Sequence, residues 1–152
     1  MKRNHAFKIV VAGEDFGAVL RAQALSRRLA AELKPAFAIS SDAWKFEALD
    51  NSRTGEVAAK GAAKADMVII AAGGAVEPPA HVKSWIESWL PRKRKAVTAL
   101  VALCDPEDKI PNESSPLCAY LRRIARKGDM DFLTNSAHGW QHDFEFLPGT
   151  PA

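Results

Sequence analysis

The sequence has no apolar run approaching the roughly 18 residues that a bilayer-spanning helix needs. A membrane location is therefore not expected. Cysteine is nearly absent: there are two, Cys104 and Cys118, with neither a C-x-x-C motif nor the Cys/His spacing of a zinc site. No metal centre is expected. Both cysteines lie in apolar segments, and with no export signal they read as buried thiols more readily than as a disulfide. The start of the chain, Met1-Lys2-Arg3-Asn4-His5, runs directly into a strand-like segment, without the apolar core or small-residue cleavage site of a secretory leader. The expected location is cytoplasmic.

Missing motifs exclude several chemistries. There is no G-x-G-x-x-G and no G-x-x-x-x-G-K-[ST], so neither common phosphate loop is present. A G-x-S-x-G nucleophile elbow is also absent, and none of the four histidines stands in a recognisable triad arrangement. His138 and His142 are four apart, a spacing that would suit a metal on a helix. Gly139 between them, and no acidic partner at fixed spacing, favour a surface pair.

What remains is an ordinary globular composition. The 152 residues are 47% hydrophobic and 26% charged, which suits one domain with a full core. Strand-like and helix-like segments alternate along it. Lys8–Ala12 is a short apolar run ending at Gly13. A helix follows from about Ala18 to Lys34, with Ala22, Leu25, Leu29 and Leu33 on one stripe, and Pro35 stops it. Phe37–Trp44 is a more polar strand. Thr54 is the expected N-cap of an alanine-rich helix to about Ala65.

Met67–Ala72 is the most apolar strand and ends in Gly73-Gly74. Pro78-Pro79 opens a helix whose Val82, Trp85, Ile86, Trp89 and Leu90 fit the i, i+3, i+4, i+7, i+8 template. Ala96–Cys104 is a fourth strand. Ser115-Pro116 is an N-cap followed by proline at N1, and Gly128 ends that helix. Asp131–Asn135 is a fifth strand.

Strand–helix repetition with short links implies right-handed crossovers and a parallel sheet covered on both faces. The second and fifth strands are the least apolar, as edges would be. The expected fold is thus a three-layer, doubly wound α/β sandwich with a five-stranded parallel sheet in order 2-1-3-4-5. It spans residues 1–136, and residues 137–152 form a C-terminal tail.

In such a sheet a ligand binds beyond the carboxyl ends of the strands, where strand order reverses. That point lies between Gly13-Glu14-Asp15-Phe16-Gly17 and Gly73-Gly74. Trp44 follows strand two and Asp105 follows strand four, which completes a candidate ligand site of Gly13, Glu14, Asp15, Trp44, Gly73, Gly74 and Asp105. Glu14 and Asp15 are the catalytic candidates, as a general base or a metal ligand. The blander reading has Asp15 capping the first helix and Glu14 solvated, because acids are favoured at helix starts. The glycine pair either admits a ligand to the backbone or forms a turn. A receiver-type phosphorylation site is excluded, because Gly73-Gly74 stands where its acceptor aspartate would be.

Basic residues gather near helix C-termini, most densely in Arg92-Lys93-Arg94-Lys95, while acids gather at the opposite end of the sheet. Helix dipoles explain such a division. The sharper alternative is that Arg92, Lys93, Arg94 and Lys95 bind an anionic partner, such as nucleic acid or an acidic protein surface. No aromatic residues are interleaved with the run, so it offers bases no stacking platform.

The segment Ala65-Asp66-Met67-Val68-Ile69-Ile70-Ala71-Ala72-Gly73-Gly74, then Pro78-Pro79 and Val82-Lys83-Ser84-Trp85-Ile86-Glu87-Ser88-Trp89-Leu90, resembles the flavodoxin-like superfamily. Residues 65–90, about a sixth of the chain, carry the likeness. It is similar to NADPH-dependent FMN reductases and to a group of small uncharacterised bacterial proteins. In the flavoproteins the matching segment lies beside the isoalloxazine ring, so the resemblance implies a site near Gly73-Gly74. Those proteins hold the FMN phosphate in a Ser/Thr/Gly-rich or basic first loop. Gly13-Glu14-Asp15-Phe16-Gly17 is neither, and FMN is disfavoured on that ground.

Three functions follow. The first is a non-catalytic binding or regulatory module that lacks a conventional cofactor phosphate site and forms a homodimer. The second is a flavin-dependent oxidoreductase or nucleotide-related enzyme working at the strand 1/strand 3 switch point. The third is anion or nucleic-acid binding through the basic end.

Overall fold

A computed structural model describes residues 5–33, 37–93, 98–104, 114–136 and 139–142. Strand β1 (His5–Gly13) leads into helix α1 (Phe16–Leu33), and β2 (Phe37–Lys45) runs into the short helix α2 (Phe46–Leu49). Helix α3 (Ser52–Lys64), strand β3 (Met67–Ala72) and helix α4 (Ala80–Trp89) follow, and α4 closes in a 3-10 turn over Leu90–Arg92. The chain continues through β4 (Ala99–Cys104), α5 (Pro116–Lys127), β5 (Asp131–Ser136) and β6 (Gly139–His142).

Strands β1 to β5 are all parallel, in the flavodoxin-like order 2-1-3-4-5. The polarity of the strands is enough to place the central ones. Strands β1, β3 and β4 are flanked on both sides, so both faces of each must be apolar.

The sheet has a sixth member. Strand β6 pairs antiparallel with β5, with Leu133 opposite His142 and Ser136 opposite Gly139. β5 is therefore not an edge strand, and the segment expected as a tail supplies the last strand. Its sequence, GWQH, is too short and too polar to show a two-residue hydrophobic period. The backbone of His142 is extended, so no helical i, i+4 spacing links it to His138, which lies outside the described residues.

Alternation along the strands divides the core in two. On one face Val10, Ala12, Val68, Ile70, Leu100, Ala102 and Phe132 pack with α3, α4 and α5. On the other, Ile9, Val11, Ile69, Ala71, Val101 and Leu103 pack with Ala18 and Ala22 of α1. Right-handed crossovers require this division. The β1-to-β2 connection runs one way along the sheet, and the links from β2 through β5 run the other way, so their helices fall on opposite faces.

Local signals set most boundaries. Helix α4 buries Val82, Trp85, Ile86 and Trp89, the stripe its spacing requires. Each such side chain contributes about 1.5–3 kcal/mol of transfer free energy on burial. The rings of Trp85 and Trp89 meet edge to face with centroids 5.7 Å apart. Ser115 caps α5, accepting the Cys118 N–H at 3.1 Å.

Helix α3 begins earlier than its sequence suggests. Asn51 is its N-cap, and its Oδ1 accepts the N–H groups of Arg53 (2.9 Å) and Thr54 (3.2 Å). Thr54, the expected cap, instead donates its hydroxyl to Ala48 O and ties α2 to α3. Gly55 lets the two helices meet closely, because a Cβ there would stand 2.7 Å from Leu49 O. Among the described residues no helix is long and apolar enough to cross a membrane.

Candidate functional site

The β1/β3 switch point is built from two loops that hold each other. Gly13 ends β1 where α1 folds back most tightly, and a Cβ there would lie 2.7 Å from Val19 Cγ2 and 2.9 Å from Val19 N. The Glu14 N–H then donates to Ala71 O at 2.9 Å, extending the β1–β3 ladder by one rung. The Glu14 side chain turns across to the second loop, where Oε1 accepts the Gly73 N–H at 2.8 Å. Asp15 points the other way and caps α1, its Oδ1 accepting the Ala18 N–H at 2.8 Å. One acid thus bridges two loops and the other closes a helix end.

A cleft of about 410 Å³ opens beside this bridge, lined by Glu14 and Gly73 with Phe46, Glu47, Val76, Glu77, Pro79 and His81 among its walls. Most of the surface is apolar, with carboxylates at the margin. Glu77 is held by Lys83, whose ammonium donates to it, and lies 3.9 Å from Arg123. The hydrogen bond from Lys83, reinforced by its charge, keeps the Glu77 carboxyl below the usual carboxylate range. Glu47 lies 3.9 Å from Lys45. The His81 ring is anchored through Nε2 to Phe46 O at 2.9 Å, which fixes the start of α4 against α2. Behind the cleft, the Ser115 hydroxyl donates to Gly74 O at 2.7 Å and fastens the second loop to α5.

Of the residues expected at the site, the structure brings Glu14 and Gly73 together in the cleft, whereas Gly13 packs against Val19 and Gly74 is tied to Ser115 without lining it. Trp44 lies apart. With Phe16, Val19, Gln23 and Ala43 it lines a separate, open depression between α1 and β2, which shares only Glu47 with the cleft. Asp105 lies outside the described residues. The α2 wall and His81 were not foreseen. A four-residue helix leaves no periodic signal, although His81 two residues after Pro79 at a helix start was visible in the sequence.

Of the basic run, Arg92 and Lys93 are described; they stand just after α4 and both make contacts within the fold. Arg92 makes a two-point pair with Glu56 (3.0 and 3.2 Å) and also donates to Ser88 O at 3.0 Å. That bidentate bond holds the Glu56 carboxyl below its ordinary range and raises Arg92. Lys93 Nζ donates to Ala62 O (2.7 Å) and Ala65 O (3.0 Å), capping the end of α3, and lies 5.4 Å from the Trp89 ring centroid. Arg94 and Lys95 lie outside the described residues. Among the described residues no group of three or more His, Cys, Asp or Glu side chains gathers to hold a metal ion.

The arrangement presents a ligand with an apolar, acid-rimmed cleft and a loop N–H already taken by a carboxylate. No family model, curated protein or solved structure matches this chain.

Proposed function

We propose that this chain is a non-catalytic binding or regulatory module of the flavodoxin-like superfamily, whose switch-point cleft takes a small molecule that carries no phosphate. The hydrogen bond from Gly73 N–H to Glu14 Oε1 carries this reading. A phosphate at a switch point is held by loop N–H groups at a helix start. Here the Glu14 carboxylate already holds the N–H of Gly73 in the loop after β3, and a second carboxylate, Asp15, occupies the N-terminus of α1. An incoming phosphate meets two negative charges in place of two donors. The apolar wall of Phe46, Val76 and Pro79 favours an uncharged or cationic molecule with some apolar surface.

Thermal denaturation with a panel of ligands tests this. FMN, NADPH and AMP are expected to leave the melting temperature unchanged, whereas members of a phosphate-free metabolite panel raise it. A ligand present at a hundred times its Kd adds about 2.7 kcal/mol, which is readily seen. A protein purified yellow with bound flavin, or stabilised by FMN, would instead favour the oxidoreductase reading.

A reducing, cytoplasmic setting is part of the same proposal, in keeping with a chain of only two cysteines. A homodimer is also part of this proposal. Phe16 and Leu20, one helical turn apart on α1, are 64% and 45% exposed, and Phe16 shares a depression with Trp44. Sedimentation of the wild type and of Phe16→Asp checks it: a dimer that Phe16→Asp dissociates supports the interface, and a monomeric wild type ends the idea.

A further inference from the structure

The two cysteines are fourteen positions apart, yet the fold sets them side by side. Cys104 ends β4 at the carboxyl edge of the sheet, and Cys118 lies in the first turn of α5. Their sulfurs are 4.0 Å apart and not joined in a disulfide, with Cys104 half-buried and Cys118 buried. We propose that Cys104 and Cys118 form a dithiol–disulfide pair that a small organic disulfide oxidises, with Cys104 as the entry thiol and Cys118 as the resolving one. This inference is independent of the reading of the cleft.

Three features of the site support those roles. The first is reach. A disulfide requires sulfurs about 2.05 Å apart, and the two stand 4.0 Å apart, so about 2 Å remains to be closed. The second is access, because only Cys104 is partly open to solvent. The third is ionisation. The Cys104 thiol donating to Cys118 is the main reason that the Cys118 thiol is lowered to about 6, against the opposing effect of burial. The Thr134 hydroxyl is 3.5 Å from Cys118 Sγ, but its hydrogen goes to Ala102 O at 3.0 Å, so the neighbouring thiol is the principal donor. The start of α5 adds its dipole in the same sense. The S–H of Cys104 thus points its proton at Cys118, which makes Cys118 the sulfur that takes it up.

The exchange balances without any further reactant. Cys104 passes its proton to Cys118 along the contact between the two sulfurs and, as the thiolate, attacks one sulfur of the organic disulfide. A Cys104–S–S–R bond forms and one thiolate, RS⁻, leaves. Cys118 then attacks Cys104 Sγ, the Cys104–Cys118 bond forms, and the second RS departs with the proton as RSH. Two cysteines are oxidised and one disulfide is reduced to two thiols. Ser115 connects this pair to the cleft, since its oxygen accepts the Cys118 N–H while its hydroxyl donates to Gly74 O.

The test incubates the reduced, folded protein with oxidised glutathione, quenches with acid, alkylates the remaining thiols and measures the intact mass. The expected product has lost the mass of two hydrogens, carries no glutathione and takes up no alkylating agent. Peptide mapping joins the Cys104 and Cys118 peptides within one chain. In Cys118→Ser the glutathione adduct persists on Cys104, and in Cys104→Ser the buried Cys118 acquires none. A wild type that keeps a glutathione adduct, keeps both thiols alkylatable, or is bridged only between chains overturns the proposal. The wild-type mass and peptide map decide this even if a variant fails to fold.

Discussion

Glu14 and Gly73 are 59 positions apart in the chain and joined by a 2.8 Å hydrogen bond, side-chain oxygen to backbone N–H, across the switch point. In this topology that N–H is among the donors best placed for a ligand. Here the protein's own carboxylate occupies it, and several expectations follow from that pairing and from its neighbours.

Replacing Glu14 by Ala removes one hydrogen bond at an exposed site, which costs about 0.5–1.5 kcal/mol. It also removes a negative charge and releases the Gly73 N–H. The variant is expected to melt slightly lower than the wild type but to gain stability from AMP or inorganic phosphate, which leave the wild type unaffected. If neither protein responds, Glu14 is not what keeps anions out.

Asp15→Ala is expected to lower stability by about 1 kcal/mol through loss of the α1 cap, and Asp15→Asn to retain most of it, since asparagine caps as well. Urea denaturation of the two variants gives the comparison. Equal losses would show that charge at the helix end matters more than the hydrogen bond to Ala18.

Two glycines of α3 should respond in opposite ways to alanine. At Gly55 the new Cβ meets Leu49 O at 2.7 Å, a backbone atom that cannot give way cheaply, so a loss of about 1–3 kcal/mol is expected. At Gly61 the nearest neighbour is Val10 Cγ2 at 3.6 Å, an ordinary contact. Gly61→Ala should stabilise by about 0.4–1 kcal/mol, because alanine restricts the unfolded chain. Denaturation midpoints of like sign would contradict the helix packing described.

Tyr120 is the single tyrosine, so phenolate absorbance reports it alone. Burial, helped by the negative charge of Glu87, pushes its pKa up to about 12, from an ordinary 10.0. The folded state keeps its proton where the unfolded state has lost it. Stability supplied by the neutral phenol is therefore complete below pH 10 and declines as pH rises toward 12. An absorbance titration of the native protein with a midpoint near that of free tyrosine would disprove it.

Much of the fold was legible because its signals are local. The apolar runs of β1, β3 and β4 mark them as central strands. The stripe of Val82, Trp85, Ile86 and Trp89 marks α4, and Ser115-Pro116 marks the start of α5. Handedness then leaves few topologies. Two elements differ from the local signal, one because a competing cap lies just upstream and one because the strand is very short. Thr54 has a cap's side chain, but Asn51 begins the helix three residues earlier by accepting the N–H groups of Arg53 and Thr54, and the Thr54 hydroxyl is drawn to Ala48. Strand β6 has only four residues, and its place depends on the pairing open to it along β5.

The candidate site shows the same division. That acids stand at the switch point is a property of the sequence alone, because strand polarity locates the loop and Glu14-Asp15 are written in it. That the two acids do different work is not. Asp15 caps the helix that begins at the next residue, accepting an N–H three positions on, a local act, while Glu14 is committed by a partner 59 positions distant. The pairing of Cys104 with Cys118 and the contacts of Arg92 with Glu56 and of Lys93 with the end of α3 belong with Glu14. Residue types and local periods determine elements and their order. Which side chains remain available for a ligand depends on long-range neighbours, and only tertiary packing selects those.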